Sequence, residues 1–442
     1  MDQEDKITAT HGGVLVELQL DAAAPNFSLE KAVCSHGLFM MAPNHWDPHS
    51  KTLRRPLRLD RDDDETSLMV HISHPSHSIH ALHLRVLGTR ALSPQQQQSL
   101  LSQVRRMLRL SEEENKRLIE FHKVHDEAKQ MGFGRMFRSP TLFEDIIKCM
   151  LLCNCQWSRT LNMAQALCEL QVELHNPSYQ ITRINVFAPK TPTGKESERR
   201  RKPGDRNNRS LKKLANKYTE SLATVETETK ISNPEELDLN PTLQSRDLKE
   251  SCSEGCSDPT IGNFPSPTEL ARLDEDFLSR RCNLGYRARR VINFAREVVE
   301  GRFPLCELEC ACDSVCLSEY DKLNEKLRSI DGLGPYTCAN VLMCIGYYHV
   351  VPSDSETIRH LKQVHAKCST MRTVQGDIEE IYGKYAPFQF LAYWSEMWRF
   401  YEERFGTLSE VTHSSYKLIT AANMRPETVS RSKKKIKLSV VE

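Results

Sequence analysis

From Asn176 to about Gly262 the sequence loses every pattern that packing needs. Aromatic residues become rare, Pro, Ser, Thr and charges dominate, and no apolar periodicity persists. The first half is basic (KESERRRKPGDRNNRSLKKLANK) and the second acidic (SLATVETETKISNPEELDLN). A structureless run of this length does not belong inside a compact domain, so residues 176–263 are expected to form a disordered, charged insertion. Any fold must then be assembled from two separated patterned segments.

The first segment begins with strand-like runs. LFMM, LRRPLRLDR, SLMVHISH and IHALHLRVLG alternate or run apolar between Pro, Asp and Ser, which predicts an antiparallel β domain over 27–92. The acidic, polar start MDQEDKITAT is read as no signal peptide, and residues 1–26 as a flexible N-terminus. From Ser93 the period changes. Ser93 as N-cap, Pro94 at the first helical position and a Leu100–Val104–Leu108 stripe open a helical region that runs to 175. A further helix is expected from Ser139–Pro140, with Phe143, Ile146, Ile147 and Met150 on one face. The second segment, 264–408, reads as helical throughout. It has two helices up to Gly301, then EYDKLNEKLRSI, the turn DGLGP, a buried helix YTCANVLMCIG and a closing aromatic-rich helix. Residues 409–442 read as a disordered basic tail. The expected class is mainly α with an N-terminal antiparallel β domain (α+β).

With 60 Lys and Arg against 59 Asp and Glu, the chain as a whole is neither histone-like nor acidic. No apolar run is long enough to span a bilayer, so no membrane partner is expected. The 15 Cys lie without a secretory signal and read as reduced, mostly buried thiols.

The turn DGLGP carries the chemistry. Gly332 and Gly334 permit a tight corner, Leu333 lies between them, and the next helix starts at once. Its free amides and positive end point the same way, an arrangement that grips a phosphate without reading sequence. A plain helix–turn–helix corner would look the same. Twenty residues after Gly334, VVPSDSET delivers one carboxylate, Asp354, just before another helix. Alone, such an Asp is an N-cap.

Helix–GxG–helix followed at this interval by an apolar-Pro-x-Asp segment resembles the helix-hairpin-helix, Gly/Pro/Asp superfamily of DNA glycosylases. The resemblance extends to FSLEKAVCSHGLF and the strands after it, which are similar to the N-terminal domain of 8-oxoguanine and bacterial 3-methyladenine glycosylases. LFEDIIKCMLLCNCQWSRT is similar to a helix carrying an Asn-x4-Arg pair, here Asn154 and Arg159, and NLGYRAR to a Gly-Tyr-Arg-Ala-Arg segment, here Tyr286 and Arg287. The resemblance implies two helical subdomains flanking a DNA cleft. Its further implications are Tyr286 as a wedge in the base stack, with Asn154, Arg159 and Arg287 on the orphaned base, a cytosine. Asp354 would face the extruded nucleotide, and Phe388 or Trp394 would border the base pocket. The implied partner is duplex DNA with a damaged or mispaired base. A monomer is expected, with no cofactor, and a downstream AP endonuclease as a functional partner.

Two departures shape the functional expectation. Bifunctional members carry a Lys two positions after the second hairpin Gly, and this chain has Tyr336. A phenol cannot form a Schiff base, so a monofunctional glycosylase is expected, acting on an oxidised or alkylated purine. In the base-reading segment SHGLF, His36 stands where relatives have Gly, and Gly37 follows it. A T:G mismatch or alkyladenine glycosylase, and a non-enzymatic lesion-binding protein, stay open as alternatives. The set Cys306, Cys310, Cys312 and Cys316 lacks zinc-type C-x2-C pairing, so no metal is expected. Basic runs at Arg199–Lys202, Lys212–Lys213 and Arg431–Lys437 together with a DNA substrate suggest the nucleus.

Overall fold

The computed structural model describes residues 7–10, 13–20, 27–59, 67–175, 262–310 and 317–424, all within one compact unit. The insertion from 176 to 261, its basic runs, the tail beyond 424, Cys312 and Cys316 lie outside the described residues.

A six-stranded, wholly antiparallel sheet forms the N-terminal layer. It comprises β1 (Ile7–Thr10), β2 (Gly13–Gln19), β3 (His45–Asp47), β4 (Thr52–Arg58), β5 (Ser67–Ser73) and β6 (Ala81–Val86), in the order β1-β2-β6-β5-β4-β3. Period-two alternation sets the register. Val16 and Ile72 both pair with Leu84, and Val14 and Val70 both pair with Val86, so one face is a continuous buried apolar row.

The helices are α1 (Leu29–Val33), α2 (Pro94–Leu108), α3 (Glu112–Val124), α4 (Asp126–Met131), α5 (Leu142–Leu152) and α6 (Trp157–His175). After the insertion come α7 (Pro267–Ala271), α8 (Glu275–Arg281), α9 (Arg287–Val299), α10 (Leu305–Cys310), α11 (Leu317–Arg328), α12 (Pro335–Ile345), α13 (Ser355–His365), α14 (Val374–Tyr382) and α15 (Gln389–Phe405). Local signals explain many starts. Ser93 and Gln96 close a reciprocal capping box on α2, and Ser266 and Glu269 do the same on α7.

Chain on either side of the insertion builds one core. Phe143 of α5 stacks on Phe294 of α9, with centroids 5.5 Å apart. Arg109, just beyond α2, donates to the carbonyl of Met343 at the end of α12 (2.7 Å). No helix among the described residues is long and apolar enough to cross a membrane.

Several boundaries differ from the sequence reading. The supposedly flexible N-terminus supplies β1 and β2, because Val14, Val16 and Leu18 alternate onto the buried face. LFMM is no strand: Gly37–Met40 is a 3-10 turn with Leu38, Phe39 and Met40 buried. Helix α5 starts at Leu142, since Thr141 is extended and caps the amide of Glu144. Three helices, not two, precede Gly301. The second described segment begins at Gly262, whose amide donates to the Cys168 carbonyl (3.2 Å). Residues 409–424, expected as disordered tail, pack on the fold: the Ser409 carbonyl accepts from Trp46 Nε1 (2.8 Å), and Tyr416 is buried.

Candidate active site

The 3-10 turn, α6, α12, α13 and α15 meet around a cavity of about 540 Å³. Six aromatic side chains stand in its wall: Trp157 from α6, Tyr336 from α12, and Tyr393, Trp394, Trp398 and Tyr401 from α15. Asp354 and Glu356 are the carboxylates in this wall, and no lysine is among the residues that line it.

Asp354 is half-buried at the N-cap of α13. Its Oδ1 accepts from the amides of Glu356 and Thr357 (2.9 Å each) and from Thr357 Oγ1 (3.1 Å). Burial pushes its carboxyl above the ordinary range and the nearby Glu356 charge adds to this, against the opposing hydrogen bonds. The same carboxylate therefore caps a helix and borders the cavity. Tyr336 and Tyr393 stand near enough that burial, reinforced by the Asp354 charge, keeps both phenols protonated. Glu356 is gripped by Arg359 Nε (2.9 Å) and by Tyr401 OH (2.8 Å).

His36 and Gly37 line the cavity beside Trp394, whose Nε1 donates to the Ser35 carbonyl (2.9 Å). A Cβ on Gly37 would meet the Trp157 ring at 3.3 Å. Phe388 is elsewhere: it is 5% exposed, packs against Phe121 and does not line the cavity. It is a core residue, and the expectation that it stacks on a base is corrected.

The hairpin is formed by α11 and α12. Gly332 has φ +94°, and a Cβ there would lie 2.4 Å from Arg290 Cδ. Gly334 caps α12 at φ −80° with nothing within 4 Å of a Cβ, so its backbone faces open space. Leu333 is buried beneath the tip. Arg290 also reaches Tyr286, its guanidinium 4.9 Å from the ring, with Arg287 at 4.6 Å. Tyr286 is nevertheless 53% exposed. Arg290, unremarked in the sequence, thus joins the hairpin to the exposed tyrosine. Its signal was its place one turn after Tyr286 in GYRARR.

Asn154 is exposed in the left-handed region (φ +48°), and Arg159 is exposed with Nη2 on the Asn283 carbonyl (3.2 Å). Arg287 is different. It is 3% exposed and donates to the carbonyls of Cys153 and Asn154, so it braces the turn that presents Asn154 rather than standing free for a base. Asn154, Arg159, Tyr286 and Arg287 are brought to one edge, while Asp354 and Tyr336 meet in the cavity.

His360, His365 and Glu396 place ligand atoms within 4.8 Å of one another, the one such group among the described residues. Both imidazoles and Tyr382 direct hydrogen bonds to the same Glu396 oxygen (2.6, 2.7 and 2.8 Å). Burial alone would raise this carboxyl; those hydrogen bonds hold it down to about 2. The network locks α13, and so Asp354, onto α15. Cys306 is exposed and free.

No family model and no curated protein matches the sequence. Among solved structures, the chain is similar to the Clostridium acetobutylicum 8-oxoguanine glycosylase/lyase in complex with double-stranded DNA, at 12% identity over 89% of this chain and 98% of that one (TM-score 0.47). It is also similar to the 3-methyladenine DNA-glycosylase of Archaeoglobus fulgidus, at 14% identity over 86% and 97% (TM-score 0.49). Missed in the sequence were Trp157, Met41, Ile419 and Thr420, which line the cavity from three distant places in the chain.

Proposed function

We propose that the chain is a DNA glycosylase of the helix-hairpin-helix, Gly/Pro/Asp kind, hydrolysing the N-glycosidic bond of a damaged purine flipped out of duplex DNA. The observation that carries this reading is Asp354: a desolvated carboxylate at a helix N-terminus, in the wall of an aromatic cavity of nucleobase-accepting size. As the base leaves, positive charge develops on the sugar. An ionised Asp354 stabilises that oxocarbenium character and orients or deprotonates a water for attack at C1′. The bond to the base breaks with its electron pair going to the base nitrogen, the water oxygen bonds to C1′, and the water proton passes to the carboxylate and then to the departed base.

The DNA grip is supported by charge placement. Arg289 and Arg290 stand in the first turn of α9, which carries no acidic residue of its own, and share Asp331 of the hairpin turn (3.7 and 3.6 Å), while Arg287 is turned inward. Cations at a helix N-terminus oppose the macrodipole; one carboxylate faces two guanidinium groups here, and an approaching phosphate supplies further negative charge. The open backbone at Gly334 offers amides to the same ligand. Tyr286 would fill the gap left by extrusion, with Asn154 and Arg159 at the orphaned base. Tyr336 supports a monofunctional enzyme, because a buried protonated phenol offers no amine for a Schiff base. The substrate is an oxidised or alkylated purine, the product an unnicked abasic site for an AP endonuclease, and the place of action the nucleus.

Purified protein incubated with duplexes carrying 8-oxoguanine, alkyladenine, hypoxanthine, uracil or T:G tests the proposal. Base release from one of the purine lesions is expected, reduced by roughly 10²-fold or more in Asp354→Asn. Release unchanged in that variant overturns the assignment. Strand incision with a borohydride-trapped adduct overturns the monofunctional part.

A further inference from the structure

His36 is 4% exposed and lines the cavity. It precedes the 3-10 turn, and its Nδ1 accepts from the amide of Leu38 (3.4 Å). An Nδ1 that accepts carries a lone pair, so the proton of the neutral ring sits on Nε2. Nε2 makes no hydrogen bond to the described residues and is not one of the sealed, unpartnered polar atoms, so it keeps access to solvent. The ring is fixed from the other side by Trp394, with centroids 4.6 Å apart, and Trp394 is itself held by the Ser35 carbonyl. Burial, aided by the Arg109 charge, holds the imidazole down to about 3, so protonation does not turn it into a cation near neutrality.

We propose that His36 determines specificity in this cavity as a fixed, neutral Nε2–H donor. It admits bases that present an in-plane lone pair to that edge, a ring nitrogen or a carbonyl oxygen, and rejects bases that present an N–H there. The inference rests on the glycosylase reading and adds the hydrogen-bond polarity of the accepted base. The physical reason is an asymmetry. A base that enters displaces the solvent Nε2–H can reach: a lone pair replaces that acceptor, whereas an N–H opposed to Nε2–H leaves two donors without an acceptor. Within a set of purine lesions of similar size, polarity at this edge separates substrates that the aromatic walls alone would treat alike.

Two measurements test it. In the full-length protein with 15N-labelled histidine, long-range 1H–15N correlations, assigned by comparison with His36→Gln, are expected to show His36 as the neutral Nε2–H tautomer from pH 7 to pH 5. An Nδ1–H tautomer, or titration within that range, overturns the proposal without any reference to activity. Single-turnover base release is then compared for wild type, His36→Phe and His36→Gln on the 8-oxoguanine, alkyladenine and hypoxanthine duplexes. Phe keeps an aromatic ring against Trp394 and removes the donor; Gln restores one. On the best substrate, His36→Phe is expected to lose roughly 10-fold or more and His36→Gln to recover part of the loss, with the ranking of lesions compressed in the Phe variant. An active protein in which His36→Phe changes neither rate nor ranking overturns this inference alone. A wild type that releases no base from any duplex overturns the glycosylase reading and the inference with it.

Discussion

Arg55 on β4 and Glu144 on α5 face each other at 3.0 Å with both side chains closed off from water, and Lys148, one turn along α5, reaches the same carboxylate at 2.7 Å. Arg55 also donates to Asn44 Oδ1 (2.9 Å), and Lys148 to the Met41 carbonyl (3.5 Å). This triad ties the sheet, the cavity-lining turn at Met41 and α5 into one unit. Burial alone would raise the Glu144 carboxyl; the Arg55 and Lys148 charges hold it down to about 2. Removing one partner of a buried ion pair strands the others. Glu144→Gln is therefore expected to destabilise the protein by roughly 3–5 kcal/mol, read from urea unfolding. A depressed folded value means that the stabilisation is present above the ordinary glutamate range and drains away as pH falls from there toward 2. The variant should therefore lose its disadvantage in acid.

Asp354 gives the opposite sign. Burial raises its carboxyl, so the folded state favours the protonated form. Its contribution to stability is then greatest in acid and falls as pH rises through the raised value. Asn at 354 can still accept from the amides of Glu356 and Thr357 as a good N-cap. Asp354→Asn is expected to melt at the same temperature as wild type or higher at pH 7, while base release collapses. A lower melting temperature would mean that the loss of activity reports unfolding.

The same shift sets the acid limb of activity. Catalysis needs the ionised carboxylate, so base release should fall as pH drops through a value above the ordinary aspartate 3.8. The Glu356 charge adds to that elevation. In Glu356→Gln the limb is expected to move to lower pH, measured as single-turnover rate against pH. A limb that stays in place would show that burial alone sets the Asp354 carboxyl.

Much of this site is legible in the sequence, for reasons that divide cleanly. Asp354, Gly332 and Tyr336 are fixed by local spacing around one corner, and local spacing survives in a linear string. Trp157, Met41, Ile419 and Thr420 converge on the cavity only through long-range packing, which no window of sequence contains. Phe388 sits one residue before an aromatic-rich helix, yet it turns to Phe121 because the start of α15 faces the core. The strand β2 was readable: VLVELQ alternates, but it lies next to a polar start that drew the reading toward disorder. The 3-10 turns around Tyr416 have no period long enough to detect, although that ring is 1% exposed.

Tyr286 is predicted to act only on DNA. It is exposed, and its ring contacts the guanidinium groups of Arg287 (4.6 Å) and Arg290 (4.9 Å). Tyr286→Ala should leave the melting temperature within about a degree, since exposed substitutions shift stability by roughly 0.5 kcal/mol or less. Base release from a stably paired lesion should fall more than release from a mismatched one, because extrusion is cheaper where pairing is already weak. Equal losses on both would remove the wedge role.

The two hairpin glycines should separate folding from binding. At Gly332 a side chain meets two obstacles at once, the positive φ of 94° and Arg290 Cδ at 2.4 Å. Gly332→Ala is expected to lower stability by roughly 1–3 kcal/mol and to displace Arg290 from Tyr286. At Gly334 the backbone is ordinary (φ −80°) and a Cβ touches nothing. Gly334→Ala should therefore fold as well as wild type. If the space above it is where a phosphate approaches the amides at the start of α12, the added methyl obstructs that approach, and duplex affinity should drop several-fold in fluorescence anisotropy at fixed ionic strength. A Gly334→Ala protein of unchanged stability and unchanged affinity would show that DNA does not approach the hairpin backbone at this point, and the grip would have to be sought in the arginines of α9.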